Sequence, residues 1–344
     1  RGGMSTVLAC GFTADGALIC GDSVGQLGIW ADLSIQRRAE GSGSGRRVSA
    51  HAGPCYDIVF PSEDLTATAG DEDIRLWDTQ ALVHGNNRTS DKKRSSKKQK
   101  TTVTSDAASQ LTPKAIFKNP QQKGSRGLVS PVSETNGLAC IDQSLFAASG
   151  DGNVYSWDMK TGQCKGVFRG HSDTVHCIVA AGSSLLCSGS EDGTVRGWDT
   201  RSAKAAFVLN PFEGREAVGD EKFGKWIGTI AAEGAWMACG GGDGYVSLWH
   251  VASRRVTTTM PTAGTPQALE FFGNRVISGG NESYVFSWSK SGELVGRAAC
   301  KSKSIFGVAV NRAKGGANQL VAVGMPSIDL YISHNVLCGS WLMS

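Results

Sequence analysis

The sequence has little of what marks most enzymes and membrane proteins. Proline supplies only 9 of its 344 residues, which argues against a proline-rich, low-complexity chain. No run approaches the ~20 apolar residues of a membrane-spanning helix, and no charged-then-apolar segment of the secretion type is visible. The opening Arg1-Gly2-Gly3-Met4 reads as the edge of a fragment. None of the ten cysteines (Cys10, Cys20, Cys55, Cys140, Cys164, Cys177, Cys187, Cys239, Cys300 and Cys338) belongs to a Cys-x-x-Cys pair, and no Cys/His group has zinc-ligand spacing. Most lie in apolar runs such as Leu185-Leu186-Cys187 and Met237-Ala238-Cys239, where a thiol serves as a small buried hydrophobe. A reducing compartment is expected. The six histidines form no His-x-His or His-x-x-x-His pair, and no Gly-x-Ser-x-Gly elbow is present. Gly240-Gly241-Gly242-Asp243-Gly244 lies between two strand-like runs rather than between a strand and a helix, which disqualifies it as a phosphate cradle. The expectation is a protein with no catalytic residue, no metal, no cofactor, no small-molecule substrate and no membrane partner.

Glycine and repetition are what the chain has in abundance. Gly supplies 45 residues, beside nine Trp and 40% hydrophobic residues, a composition for many tight turns around a sizeable core. One unit is clearest: Ser188-Gly189-Ser190-Glu191-Asp192-Gly193-Thr194-Val195-Arg196-Gly197-Trp198-Asp199. Copies run Ala148 to Asp158 and Gly240 to His250, and weaker ones end at Trp30, Trp77 and Trp288. A seventh, Ala322 to Tyr331, has Tyr in place of Trp. Successive markers are 47, 80, 41, 51, 39 and 43 residues apart, and an insertion accounts for the 80. A period of ~40–45 residues with a recurring Trp-Asp is the signature of a WD40-type β-propeller, so the fold class is all-β with seven blades.

Within each unit two apolar strands, such as those starting at Val175 and Leu185, precede an Asp-Gly turn, because Gly accepts the positive φ that tight hairpins demand. A third strand follows with a period of two. In the fourth unit His171, Ser188, Asp192 and Trp198 can form a buried hydrogen-bond relay, a structural assignment for residues of catalytic type. Met4 to Gly11 reads as the first strand of blade one and Val336 to Met343 as the fourth strand of blade seven. The last blade is thus expected to be completed by its own C-terminal strand. Trp226 and Trp236 are read as core.

Residues 85–127 break the pattern, leaving blades one and two in 1–84 and blades three to seven in 128–344, a single propeller domain. The insertion is rich in Ser, Thr, Lys, Asn and Gln and is expected to be disordered. It carries 11 Lys/Arg against Asp91 and Asp106, a net of +9, whereas the remaining 24 basic and 29 acidic residues give −5. A nucleic-acid-binding propeller would place its positive charge on the folded surface; this one does not, so no sequence-specific nucleic-acid binding is expected. The run Lys92, Lys93, Arg94, Lys97, Lys98 and Lys100 has the form of a nuclear-import signal, with weak phosphate-backbone contact and a merely solvated loop as the alternatives.

Some stretches are more specific than a Trp-Asp pair. Lys225-Trp226-Ile227-Gly228, Trp236-Met237-Ala238-Cys239-Gly240-Gly241-Gly242 and Leu248-Trp249-His250 resemble the fifth blade of the THO complex subunit 6 family. Arg169-Gly170-His171-Ser172-Asp173, His176-Cys177 and the Ser291-Gly292-Glu293-Leu294 turn are similar to that family too. The resemblance runs from about Met4 to the C-terminus, the basic insertion excepted. It implies a non-enzymatic scaffold of the nuclear THO/TREX assembly in mRNA processing and export, attached to the coiled-coil subunits 5 and 7. Separately, Trp198-Asp199-Thr200-Arg201 resembles the WDxR box of propellers that serve as substrate receptors for cullin–RING ubiquitin ligases, which would give Trp198, Asp199 and Arg201 an adaptor-binding role. The corresponding Trp77-Asp78-Thr79-Gln80 and Trp157-Asp158-Met159-Lys160 lack the Arg. A generic peptide-binding adaptor is the third reading.

Overall fold

Short apolar runs with one turn residue between them cannot bury both faces as isolated hairpins, and the chain solves this by stacking seven of them around an axis. The computed structural model describes residues 5–33, 45–85, 111–122, 127–213, 224–313, 319–332 and 336–342. They form seven four-stranded antiparallel sheets in simple sequential order. Blade one spans residues 7–49, blade two 55–117, blade three 135–169, blade four 175–209, blade five 227–261, blade six 266–299 and blade seven 304–342. The first strands of successive blades pack against one another, and that of blade seven (Ser304–Val310) packs on that of blade one (Val7–Phe12), so they form a closed inner ring. Second-to-third turns and blade-to-blade crossings therefore share one face, called upper here. First-to-second and third-to-fourth turns share the lower face.

The core is divided among the joints between blades. Trp77 seals the joint of blades one and two with Ile19, Leu27 and Val48, and Trp157 that of blades two and three with Ala67, Ile74 and Leu76. Trp198 packs on Phe146, Val154 and Phe168 of blade three. Trp249, Trp288 and Tyr331 repeat the arrangement at the next three joints. This explains why one aromatic recurs per unit: each fills the gap that its blade leaves against the preceding one. Residues of the third strands are buried on both sides, as in Asn153–Asp158 and Ser327–Ile332, because a blade inside a ring has two packed faces.

Closure follows the sequence expectation. Val336–Leu342 pairs with Ser327–Ile332 as the fourth strand of blade seven, and blade one has its own four strands. Among the described residues no strand is shared across the joint. Val7, Leu18 and Cys20 pack there on Val321, Val323, Ile328 and Leu330, and Trp30 meets Trp341 edge-on at 5.8 Å.

The insertion is narrower than 85–127. Ala115–Phe117 pairs with Ile74–Leu76 as the fourth strand of blade two, and Phe117 is fully buried. Three apolar residues among Lys, Asn and Gln do not stand out in sequence; the open edge of Ile74–Asp78 gives them a partner. A one-and-a-half-turn helix, α1 (Thr79–His84), follows the third strand of blade two. Asp78 caps it by accepting from the Ala81 N–H at 2.9 Å. The Arg46 guanidinium donates to the carbonyls of Ala81 and Leu82, both at 2.7 Å, where a cation suits the negative helix end. Gly85 and Leu111, the described residues on either side of 86–110, lie on the lower face of blade two. Trp226 and Trp236 are half-buried rather than core.

Candidate functional site

Four side chains of blade four form a hydrogen-bonded chain. His171 enters from the crossing before the blade, Ser188 from the second strand (Leu185–Ser190), Asp192 from the following turn and Trp198 from the third strand (Val195–Asp199). Trp198 Nε1 donates to Ser188 Oγ at 2.8 Å, Ser188 lies 2.8 Å from His171 Nε2, and His171 Nδ1 lies 2.9 Å from Asp192 Oδ2. A single proton assignment satisfies every atom: the Ser188 hydroxyl donates to Nε2, and neutral His171 donates from Nδ1 to Asp192. Burial lowers the His171 pKa and keeps the ring neutral. Burial works against the Asp192 carboxylate, but hydrogen bonds from Thr194 and His171 outweigh it and bring the group down to about 2. Ser188 is fully buried, and His171 is sealed against Trp198.

A second relay stands in blade two, which the sequence reading missed. Trp77 Nε1 donates to Thr68 Oγ1 at 3.0 Å, Thr68 lies 2.8 Å from His51 Nε2, and His51 Nδ1 lies 2.9 Å from Asp73. Arg75 grips Asp73 with Nε and Nη2. Blade six keeps only the Trp288-to-Ser278 bond at 2.8 Å. In blade three the residue ten before Trp157 is Ala147, and the Trp157 indole nitrogen is buried without a partner among the described residues. A spacing rule of nine or ten residues between hydroxyl and Trp would have found all three bonded cases.

The Trp198-Asp199-Thr200-Arg201 box divides between core and surface. Trp198 is fully buried, whereas Arg201 lies on the lower face with its side chain 75% exposed. Arg201 grips Asp199 in bidentate fashion, at 2.9 and 2.8 Å, and these bonds hold the Asp199 carboxyl at about 2. The Thr200 N–H donates to the Ser184 carbonyl at 3.0 Å, pinning the turn. Beside it a groove of about 510 Å³ runs between blades three and four, lined by Phe146, Phe168, Lys165, Ser184 and Arg201. In blade three the equivalent Asp158 is paired with Lys165 at 3.0 Å instead. Lys92, Lys93, Arg94, Lys97, Lys98 and Lys100 lie outside the described residues.

A second concavity is the axial channel, about 310 Å³, lined by every inner strand. Asp57 sits in its wall, accepting from the Leu138 N–H at 2.7 Å and the Ile58 N–H at 2.8 Å, so its carboxylate bridges blades two and three. Burial pushes this carboxyl up to about 6 despite those bonds. Burial likewise raises the thiol of Cys187 to about 12, which removes its reactivity as a thiolate. Among the described residues no three His, Cys, Asp or Glu side chains converge as metal ligands.

Residues 162–199, which hold blade four's first three strands and the relay, match the family model of the WD domain, G-beta repeat. The chain is similar to THO complex subunit 6 of Arabidopsis thaliana, 31% identical over 288 residues, 81% of this chain and 71% of the relative. It is 28% identical to THO complex subunit 6 of Homo sapiens over 86% of this chain and 79% of that one. Over a shorter stretch, 31% of this chain, it is 30% identical to the pre-mRNA-splicing factor cwf17 of Schizosaccharomyces pombe.

Proposed function

The chain belongs to the THO complex subunit 6 family, and on that premise we propose that it is a non-enzymatic scaffold subunit of a nuclear THO/TREX assembly. In this reading it acts in mRNA processing and export through protein–protein contacts, with the coiled-coil subunits 5 and 7 as the partners the family implies. One observation carries it: both His/Asp/hydroxyl sets of catalytic type are locked into satisfied, buried relays under a Trp. What the propeller offers to other molecules is its faces and rim. The −5 net charge outside residues 85–127 favours protein over nucleic-acid contact. Relatives named for a THO subunit and a splicing factor point to the same process. Affinity purification of the tagged chain from nuclei tests it: coiled-coil THO subunits in stoichiometric yield are the expected result, and their absence overturns the reading.

A second reading makes the chain a substrate receptor of a cullin–RING ligase. It is favoured by the exposure of Arg201 beside the groove between blades three and four. Arg201→Ala should then abolish recovery of an adaptor and cullin while leaving THO subunits bound. For import, replacing Lys92, Lys93, Arg94, Lys97, Lys98 and Lys100 by Gln should disperse the protein into the cytoplasm; unchanged nuclear accumulation removes that role.

A further inference from the structure

All seven inner strands break register at the same place. The pairing slips between Val7 and Ala9, Cys55 and Asp57, Thr135 and Gly137, and Val175 and Cys177. It slips again between Ile227 and Thr229, Pro266 and Ala268, and Ile305 and Gly307. The residue skipped in each blade faces no partner in the second strand, and a bulge of this kind re-aims a side chain. Those residues are Leu8, Tyr56, Asn136, His176, Gly228, Gln267 and Phe306, and all seven line the axial cavity. The fold thus writes the upper mouth of its channel with one residue per blade.

That ring has a definite chemistry. Its apolar members are Leu8 and Phe306. Tyr56 donates to Asp71 at 2.8 Å, His176 pairs with Glu191 at 2.7 Å, and Trp226 stands edge-on to His176 at 6.0 Å. Gly228 makes room for this: a Cβ there would fall 2.2 Å from Trp226 Cζ3. Gln267 Oε1 is a buried acceptor with no partner among the described residues. Deeper in the same wall are the carboxylates of Asp57 and, toward the lower end, Glu270, and among the described residues no Lys or Arg lines the cavity. Glu270 is answered from below by Arg312 at 2.6 Å.

We propose that this mouth receives a single Lys or Arg side chain presented by a partner protein. The aliphatic stem would lie against Leu8, Phe306 and Tyr56. The cationic head would take the free Gln267 acceptor and the field of Asp57. An unpaired buried acceptor costs free energy until a donor arrives, and an opposite charge in a narrow, partly desolvated channel interacts more strongly than at the surface. The cavity suits one extended side chain and not a folded element. This site lies on the upper face, opposite Arg201, and does not depend on the assembly reading.

Selection of a random heptapeptide display library on the full-length chain tests it, followed by calorimetry with the enriched peptide. One basic position should be enriched. Its replacement by norleucine, and the variants Gln267→Leu and Asp57→Asn, should each weaken binding at least 10-fold, with the melting temperature of Gln267→Leu within a degree or two of the parent. Exchanging Arg and Lys at that position shows which head group fits. Enrichment of peptides without a basic residue overturns the proposal. So does affinity unchanged by Gln267→Leu, a rim substitution that keeps the fold where Asp57→Asn disturbs the joint of blades two and three.

Discussion

Replacing Ser188 by Ala removes one oxygen and disables two hydrogen bonds, because that oxygen accepts from Trp198 and donates to His171. Ser188 and Trp198 have no solvent exposure, so water cannot fill in. Each buried group left without a partner costs roughly 1–3 kcal/mol; two of them give about 3 kcal/mol. Ser278→Ala in blade six supplies the internal comparison. It orphans only the Trp288 N–H, for about 1.5 kcal/mol. An unfolding entropy of roughly 2.1 cal/mol/K per residue gives about 0.7 kcal/mol/K for 344 residues. By that scale the melting temperature should fall by about 4 °C for Ser188→Ala and about 2 °C for Ser278→Ala. Differential scanning calorimetry of the three proteins at pH 7 measures both. Equal drops would refute the claim that the histidine is an integral partner, and a drop under a degree for Ser188→Ala would refute the relay as a stabilising element.

Further outcomes follow from the same geometry. Ala147→Ser places a hydroxyl ten residues before Trp157, where blades four and six have one, and should raise stability by about 1 kcal/mol by giving the buried indole an acceptor; a lower melting temperature would show that the joint has no room. On acidification His171 and Asp192 each weaken the fold, while Asp57, raised to about 6, takes up its proton more readily in the native chain and opposes them between about pH 6 and 4. His171 stays neutral in the native state because burial lowers its pKa, so below about pH 6.5 the unfolded chain takes up a proton that the native chain refuses, and stability falls as pH falls. Asp192, at about 2 in the fold, adds a second loss between about pH 4 and 2. The difference in melting temperature between the parent and His171→Gln, followed across that range, isolates the histidine's share and should shrink as pH falls below about 6.5. Trp341→Ala should cost about 2 kcal/mol, roughly half the figure for a fully buried Trp, because Trp341 closes the ring edge-on against Trp30; an unchanged melting temperature would mean that the joint of blades seven and one closes without it.

Repetition made the blade count legible. Seven markers at near-regular intervals survive one Tyr and one doubled gap, since an aromatic is needed wherever a blade packs on its predecessor. The relay of blade four was legible because Gly-His-Ser-Asp and Ser-Gly-Ser-Glu-Asp-Gly are strongly patterned. Its counterpart in blade two was not: Thr68 replaces Ser, the Trp follows after nine residues, and Asp73 is one of three acids in Asp71-Glu72-Asp73. The strand Ala115–Phe117 was hidden for a different reason. Three residues have no periodicity to read, and only the open edge of Ile74–Asp78 selects them.

The sequence by itself determined the seven units, their tight turns, the closing C-terminal strand and the segregation of basic charge into one segment, because these are properties of local pattern and count. The tertiary structure alone decided which carboxylate each histidine meets and which indole goes without an acceptor. It also decided that Arg201 holds Asp199 on an open face and that seven dissimilar residues converge on one axis. Those depend on register: a one-residue slip in an inner strand turns a side chain from the sheet to the channel, and no local signal in the chain records where the slip occurs.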